Sequence, residues 1–138
     1  MPARDTYHEA VVTALQKEGW TITHDPYTIK LEGISYDIDL GAEQIIAATK
    51  DAEKIAIEIK TFIGPSFVHK FHEAMGQFVN YLVGLEEQEP DRTLYLAVPQ
   101  GTFNKFFQLP VIQKTLHRYM VKLIIYNPVK QEIIQWIK

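Results

Sequence analysis

The sequence predicts an α/β fold of the α+β kind, a mixed β-sheet flanked by helices. Three observations point there. A helix, several short alternating strands, a long helix, a strand, more helix and closing strands follow one another along the chain. Two of the later strands, Thr93–Val98 and Val121–Tyr126, are largely apolar and read as buried strands. The chain has 138 residues, 46% of them hydrophobic, which suits a single domain over 1–138 with a proper core.

Thr6-Tyr7-His8-Glu9 has the spacing of a capping box, with Thr6 as N-cap and Glu9 reaching back to it. Tyr7, Ala10, Val11, Ala14 and Leu15 then recur at helical spacing, and Gly19 ends the helix. Residues 20–26 and 27–33 alternate and stop at Pro26 and Gly33. Residues 34–40 alternate next, which predicts Ile34, Tyr36, Ile38 and Leu40 on one face and Asp37 and Asp39 on the other. The strands EQIIAATK and KIAIEIKTF flank Asp51-Ala52-Glu53, read as a hairpin turn.

From Ser66 to Gln88 a long helix is expected, with Phe67, Phe71, Ala74, Met75, Phe78 and Leu82 as its apolar stripe. Lys70, Glu73, Gln77 and Asn80 form a polar stripe beside it. Pro90-Asp91 breaks the pattern before the strand at Thr93. A short helix over 102–109 and another opened by Pro110 follow. The Asn127-Pro128 turn folds the last strand, Glu132–Ile137, back on its predecessor. Phe103, Phe106 and Phe107 read as core.

No segment approaches the roughly 18 consecutive apolar residues of a membrane span, and MPARDTYHEA lacks the pattern of a signal peptide. With no cysteine, disulfides and thiolate metal sites are excluded, which fits a cytoplasmic location. The net charge of −3 shows no overall basic excess for holding a polyanion, so a nucleic-acid role needs a local basic patch or a partner.

Chemistry concentrates in KIAIEIKTF. Its alternation puts Glu58 and Lys60 on one face, opposite Ile55, Ile57 and Ile59. The plain account is a solvated strand face. The chemical account needs a second acid from an adjacent strand, so that two carboxylates bind a divalent cation that neither holds alone. Asp39 and Glu43 are the candidates. The proposed turn brings the Glu43 region beside Glu58 and Lys60, with Asp39 just beyond. His69 and His72 with Glu73 have the order H-x-x-H-E, which is not the zinc-protease order, and a fourth ligand is absent.

Asp39 with Glu58-Ile59-Lys60 resembles the PD-(D/E)xK nuclease motif. The resemblance implies a restriction-endonuclease-like fold, with Asp39, Glu58 and Lys60 as catalytic residues and Mg2+ or Mn2+ on Asp39 and Glu58. Glu9 and Gln77 match supporting positions found in some branches, although Glu9 also has its capping task. Glu43 remains an alternative first acid; the shorter, stiffer side chain favours Asp39. The motif's usual proline is replaced by Ile38.

Over nearly the whole chain, the opening 26 residues, DLGAEQIIAA, KIAIEIKTFIGPS and PDRTLYLAVPQGTFNKFF resemble the cyanobacterial XisH family of fdxN element excision controlling factors. This resemblance implies a role in developmentally regulated excision of a DNA element. It also implies a small XisI-like companion protein as partner; DNA and a second copy of the chain are further candidate partners. Two readings follow: a metal-dependent endodeoxyribonuclease, or a non-catalytic control subunit that acts by binding. A defence or toxin–antitoxin-like pair is a third.

Overall fold

The computed structural model describes residues 6–45 and 52–138. Its elements run α1 (His8–Lys17), β1 (Thr21–His24), β2 (Tyr27–Leu31), β3 (Ile34–Ile38), β4 (Leu40–Ile45), β5 (Ala52–Ile59), α2 (Phe67–Gln88), β6 (Arg92–Pro99), α3 (Gln100–Phe106), α4 (Pro110–Arg118), β7 (Leu123–Asn127) and β8 (Glu132–Ile137). Six strands form one mixed sheet in the order β1-β4-β5-β6-β7-β8, and β2 and β3 form a separate hairpin. β5, β6 and β7 pair in parallel, while β1, β4 and β8 run antiparallel to their neighbours. The expected mixed sheet with flanking helices is therefore present.

Alternation along the central strands feeds two cores, one on each face. Ile55, Ile57 and Ile59 point with Tyr95, Ala97, Ile124 and Tyr126 to the face that Val11 and Leu15 of α1 cover. Ala56, Leu94, Leu96 and Val98 point to the other face, under Phe71, Ala74 and Phe78 of α2 and Ile29 and Ile38 of the hairpin. Fully burying each such aliphatic or aromatic side chain is worth about 1.5–3 kcal/mol. Of the phenylalanine cluster expected in the core, Phe107 is fully buried, while Phe103 and Phe106 are partly buried against it, Phe106 stacked on Phe67 with ring centroids 4.1 Å apart.

Four local expectations are corrected. Tyr7, not Thr6, is the N-cap of α1, and no side-chain cap bond forms, so the capping box is not made. Ala52 and Glu53 pair within β5, opposite Ile45 and Gln44, so they are not turn residues; Asp51 and 46–50 lie outside the described residues. Residues 34–40 are not one strand. The chain leaves the hairpin after Ile38 and enters the large sheet at Leu40, and these two residues join opposite cores. Lastly, the Ala56–Glu58 face is not solvated, because the hairpin and α2 cover it.

The hairpin is fastened by a buried cation. Arg92, 4% exposed, donates from Nε to Glu89 Oε1 at 2.7 Å, from Nη1 to the Ile55 carbonyl at 2.9 Å, and from Nη2 to Glu43 Oε1 at 3.2 Å. Its guanidinium also lies 4.7 Å from the centroid of the Tyr27 ring, and Tyr27 donates its hydroxyl to Glu89 Oε1 at 2.6 Å. Gln88 donates to the Thr28 carbonyl and accepts from the Lys30 amide. Close approach does the rest: a Cβ on Gly84 of α2 would lie 3.1 Å from two carbons of the fully buried Ile29.

The sheet's edges are short or irregular. β1 has four residues, and its register against β4 shifts between Ile22 and His24. β8 pairs with β7 through a similar shift between Ile125 and Tyr126.

Two outcomes follow from the Arg92 cluster. Arg92→Ala takes the buried cation from Glu89 and Glu43 and its donor from the Ile55 carbonyl, and loses about 3–5 kcal/mol in urea denaturation. Partial burial opposes the Glu89 charge, but hydrogen bonds from Arg92 and Tyr27 and the Arg92 charge outweigh it and hold that carboxyl down at about 2. A depressed carboxyl contributes stability above its unfolded value, about 4.3, and loses it as pH falls through about 2. Glu89→Gln is therefore expected to flatten the fall in melting temperature across that acid window.

Candidate acid–acid–lysine site

The antiparallel register of β4 and β5 decides which acid meets Glu58. Leu40 pairs with Ile57 and Glu43 with Lys54, so the strand runs away from Glu58 as it approaches Glu43. Asp39, one residue before Leu40, arrives beside Glu58. Its amide donates to Glu58 Oε1 at 3.3 Å, and its Oδ2 accepts the Ile59 amide at 2.8 Å. Lys60 Nζ lies 3.6 Å from Glu58 Oε2. The expectation that Glu43 sits beside Glu58 is thus overturned; Glu43 is bound to Arg92 instead.

The three groups stand at the carboxyl end of β5, where it pairs in parallel with β6. That end of an open parallel sheet is where α/β folds bind ligands. Glu58 is only 5% exposed. Burial first, then the Asp39 carboxylate, push its carboxyl up to about 8, against the opposing pull of Lys60. Burial and the same two carboxylates, with Asp37, push the Tyr81 hydroxyl of α2 up to about 12. Tyr81 also packs against Tyr36 of the hairpin, with ring centroids 5.7 Å apart and the rings tilted by 59°.

Tyr81 is the site neighbour that sequence reasoning missed. Its signal was its place four residues after Gln77, on the same helix face. Gln77 is half-buried, and its Oε1 is buried with no hydrogen-bond partner. Lys70 and Glu73, further up this stripe, line a pocket of about 230 Å3 together with Lys60, Thr61, Phe62 and Ile63. Glu9 is exposed on α1, whose buried residues pack on the opposite face of the sheet. Among the described residues it does not join Asp39 and Glu58 in a group of three that could hold a metal. His69 and His72 are exposed and join no such group either.

The loop between β5 and α2 carries unusual backbone. Phe62 (φ 58°) and Ser66 (φ 65°) lie in the left-handed region, with Gly64 (φ 92°) between them. A non-glycine residue held there costs on the order of 1–3 kcal/mol. Phe62 is kept in place by packing on Phe67 and Phe107, with centroids 5.4 and 5.5 Å away. Thr102 Oγ1 donates to the Thr61 carbonyl at 2.9 Å, and Lys70 donates its ammonium to the Ile63 carbonyl.

The donor set fits a hard divalent cation. Two carboxylates in contact, one buried and disfavoured as an anion, are the arrangement a +2 charge stabilises. With only these two acids, Mg2+ would complete its shell with water and ligand oxygens, its usual habit.

These features describe an α/β protein with an Asp-Glu-Lys cluster at the carboxyl end of a parallel strand pair. A sequence model of the XisH protein family matches residues 1–134, and the chain belongs to that family. It superimposes on the crystal structure of an XisH family protein from Nostoc punctiforme PCC 73102 with a TM-score of 0.88 at 41% identity, covering 97% of this chain and 100% of that one. A fdxN element excision controlling factor protein from Anabaena variabilis gives a TM-score of 0.89 at 43% identity, over 98% of this chain and 100% of that one. Among curated proteins nothing matches.

The Glu58 environment gives a testable pH dependence. A carboxyl raised to about 8 contributes stability that is fully present below its unfolded value, about 4.3, and is lost as pH rises through about 8. Melting temperatures measured without metal should therefore decline from pH 5 to 8 in the parent protein. Glu58→Gln should remove much of that decline and be the more stable of the two at the alkaline end.

Proposed function

We propose that the chain is a metal-dependent phosphodiester hydrolase of restriction-endonuclease type, acting on DNA in the excision of a genetic element. The convergence of Asp39, Glu58 and Lys60 carries this reading. Family membership supports the setting, since the relative from Anabaena variabilis is described as an excision controlling factor.

Asp39 and Glu58 would hold Mg2+ or Mn2+, which polarises a phosphate oxygen and makes a water nucleophilic near neutral pH. Lys60 is poised beside Glu58 to hold the attacking water or meet the negative charge that grows on the phosphate. Asp39 is fixed for its part, because the Ile59 amide holds its Oδ2 at 2.8 Å. The buried floor under Glu58 strengthens every charge interaction made there. Gln77, with its unpartnered carbonyl oxygen, belongs to the same proposal as a positioning residue. Glu9 and Glu43 stand outside it.

A second reading has its own support. The net charge is −3, and Asp39 and Glu58 already make hydrogen bonds that join the hairpin exit to β5. A control subunit could keep this arrangement for structure alone and act by binding a XisI-like companion in the cytoplasm. Calorimetric titration with Mg2+ and Mn2+ separates the readings. The hydrolase binds metal, and that metal raises the melting temperature at pH 8 in the parent but not in Glu58→Gln, because only the metal-bearing folded state gains. The control subunit binds none at millimolar concentration.

Activity is tested by plasmid nicking with Mg2+ or Mn2+, with and without the companion protein. Glu58→Ala and Lys60→Ala should each reduce cutting by at least about 100-fold, the usual size of a lost electrostatic or acid–base group. Cutting that survives both substitutions removes the cluster from the chemistry.

A further inference from the structure

The pocket beside the acid pair holds more charge than the three-residue cluster uses. Lys60 stands on one wall, next to Glu58. Lys70 stands on another, its ammonium tied to the Ile63 carbonyl and 3.1 Å from where a Gly64 Cβ would lie. An ammonium has three donors, so this tether still leaves it able to meet an anion. At about 230 Å3 the pocket has room for a phosphate group and several waters, each taking about 30 Å3. Left-handed Phe62 is part of the pocket's lining. α2, which brings Lys70 into the pocket from its first turns, has no side-chain cap and no acid in its first turn. Glu73, the one acid lining the pocket among the described residues, lies a turn beyond Lys70.

We infer that this pocket is a second phosphate subsite, in which Lys70 holds the backbone phosphate next to the one at Asp39, Glu58 and Lys60, and Glu73 weakens that hold. The inference rests on reading the acid pair as a phosphodiester site. It supplies the local basic feature that a chain of net charge −3 needs to hold a polyanion. Lys70 is a positioning residue: it would register the strand so that one particular phosphate reaches Glu58. The pocket is built from the β5–α2 loop and the first two turns of α2, so substrate register and loop conformation are coupled through the Lys70–Ile63 bond.

The test is binding of a short fluorescein-labelled DNA duplex to the full chain, followed by anisotropy over a salt series with Ca2+ replacing Mg2+. Lys70→Gln keeps a donor for the Ile63 carbonyl but loses the charge. It should weaken binding and reduce the slope of log affinity against log salt by about 0.9, the value of one lost phosphate contact on duplex DNA. Lys70→Arg should keep both affinity and slope, and Glu73→Gln should tighten binding. A Lys70→Gln protein with the parent's slope, whatever its affinity, overturns the subsite and leaves the hydrolase reading standing, because cutting and its dependence on Glu58 are measured separately. A parent protein that binds no duplex, alone or with the companion protein, overturns both.

Discussion

Arg92 is the point on which the rest of the structure turns. One buried side chain binds the β5 backbone at Ile55, the β4 acid Glu43, the residue that ends α2 and the Tyr27 ring of the hairpin. Burying a guanidinium is costly, and removing any one partner leaves a charge or a carbonyl unmet. The cluster is satisfied only when β4 and β5 pair in the observed register. The far end of that register sets Asp39 against Glu58. A slip of one residue would put Asp39 on the wrong side of the sheet, so the site's geometry is decided far along the strand from it.

At the site itself the energetics run the other way. Glu58 is buried and faces a second carboxylate, so the folded chain resists ionising it. A structure optimised for stability alone would place a neutral residue there. Lys60 offsets only part of the opposition. The left-handed Phe62 and Ser66 beside it add backbone strain that the packing of Phe67 and Phe107 overcomes. The like charges at Asp39 and Glu58 and the strain at Phe62 lie close together, at the end of β5 and the start of its loop, and such clustering is a feature of binding sites rather than of folding cores.

Most elements were legible from local pattern, because helical and strand periodicities are local properties. The pairing of Asp39 with Glu58 and Lys60 followed from a motif. What stayed hidden depended on distant contacts. Alternation runs unbroken through Ile38, Asp39 and Leu40, so nothing in it marks the passage from one sheet to another. Arg92 looked like an ordinary residue before a strand, since its partners come from β2, β4, β5 and α2. The capping box failed although Thr6 and Glu9 had the right spacing, because the helix starts at His8. Solvation of the Glu58 face was the natural guess from one strand alone; only the cover of hairpin and α2 makes it an interior face.

The interrupted edges of the sheet have a consequence for how this chain meets others. β1 is four residues long with an irregular register, and β8 is paired through a shift of its own. Neither offers a long, flat ladder of free amides and carbonyls for another chain's strand to extend. Joining by backbone zippering, whether into fibres or into a continuous sheet with a companion, is therefore discouraged. The side chains on the faces and loops are the surface left for another chain to meet, where substitutions change one contact at a time.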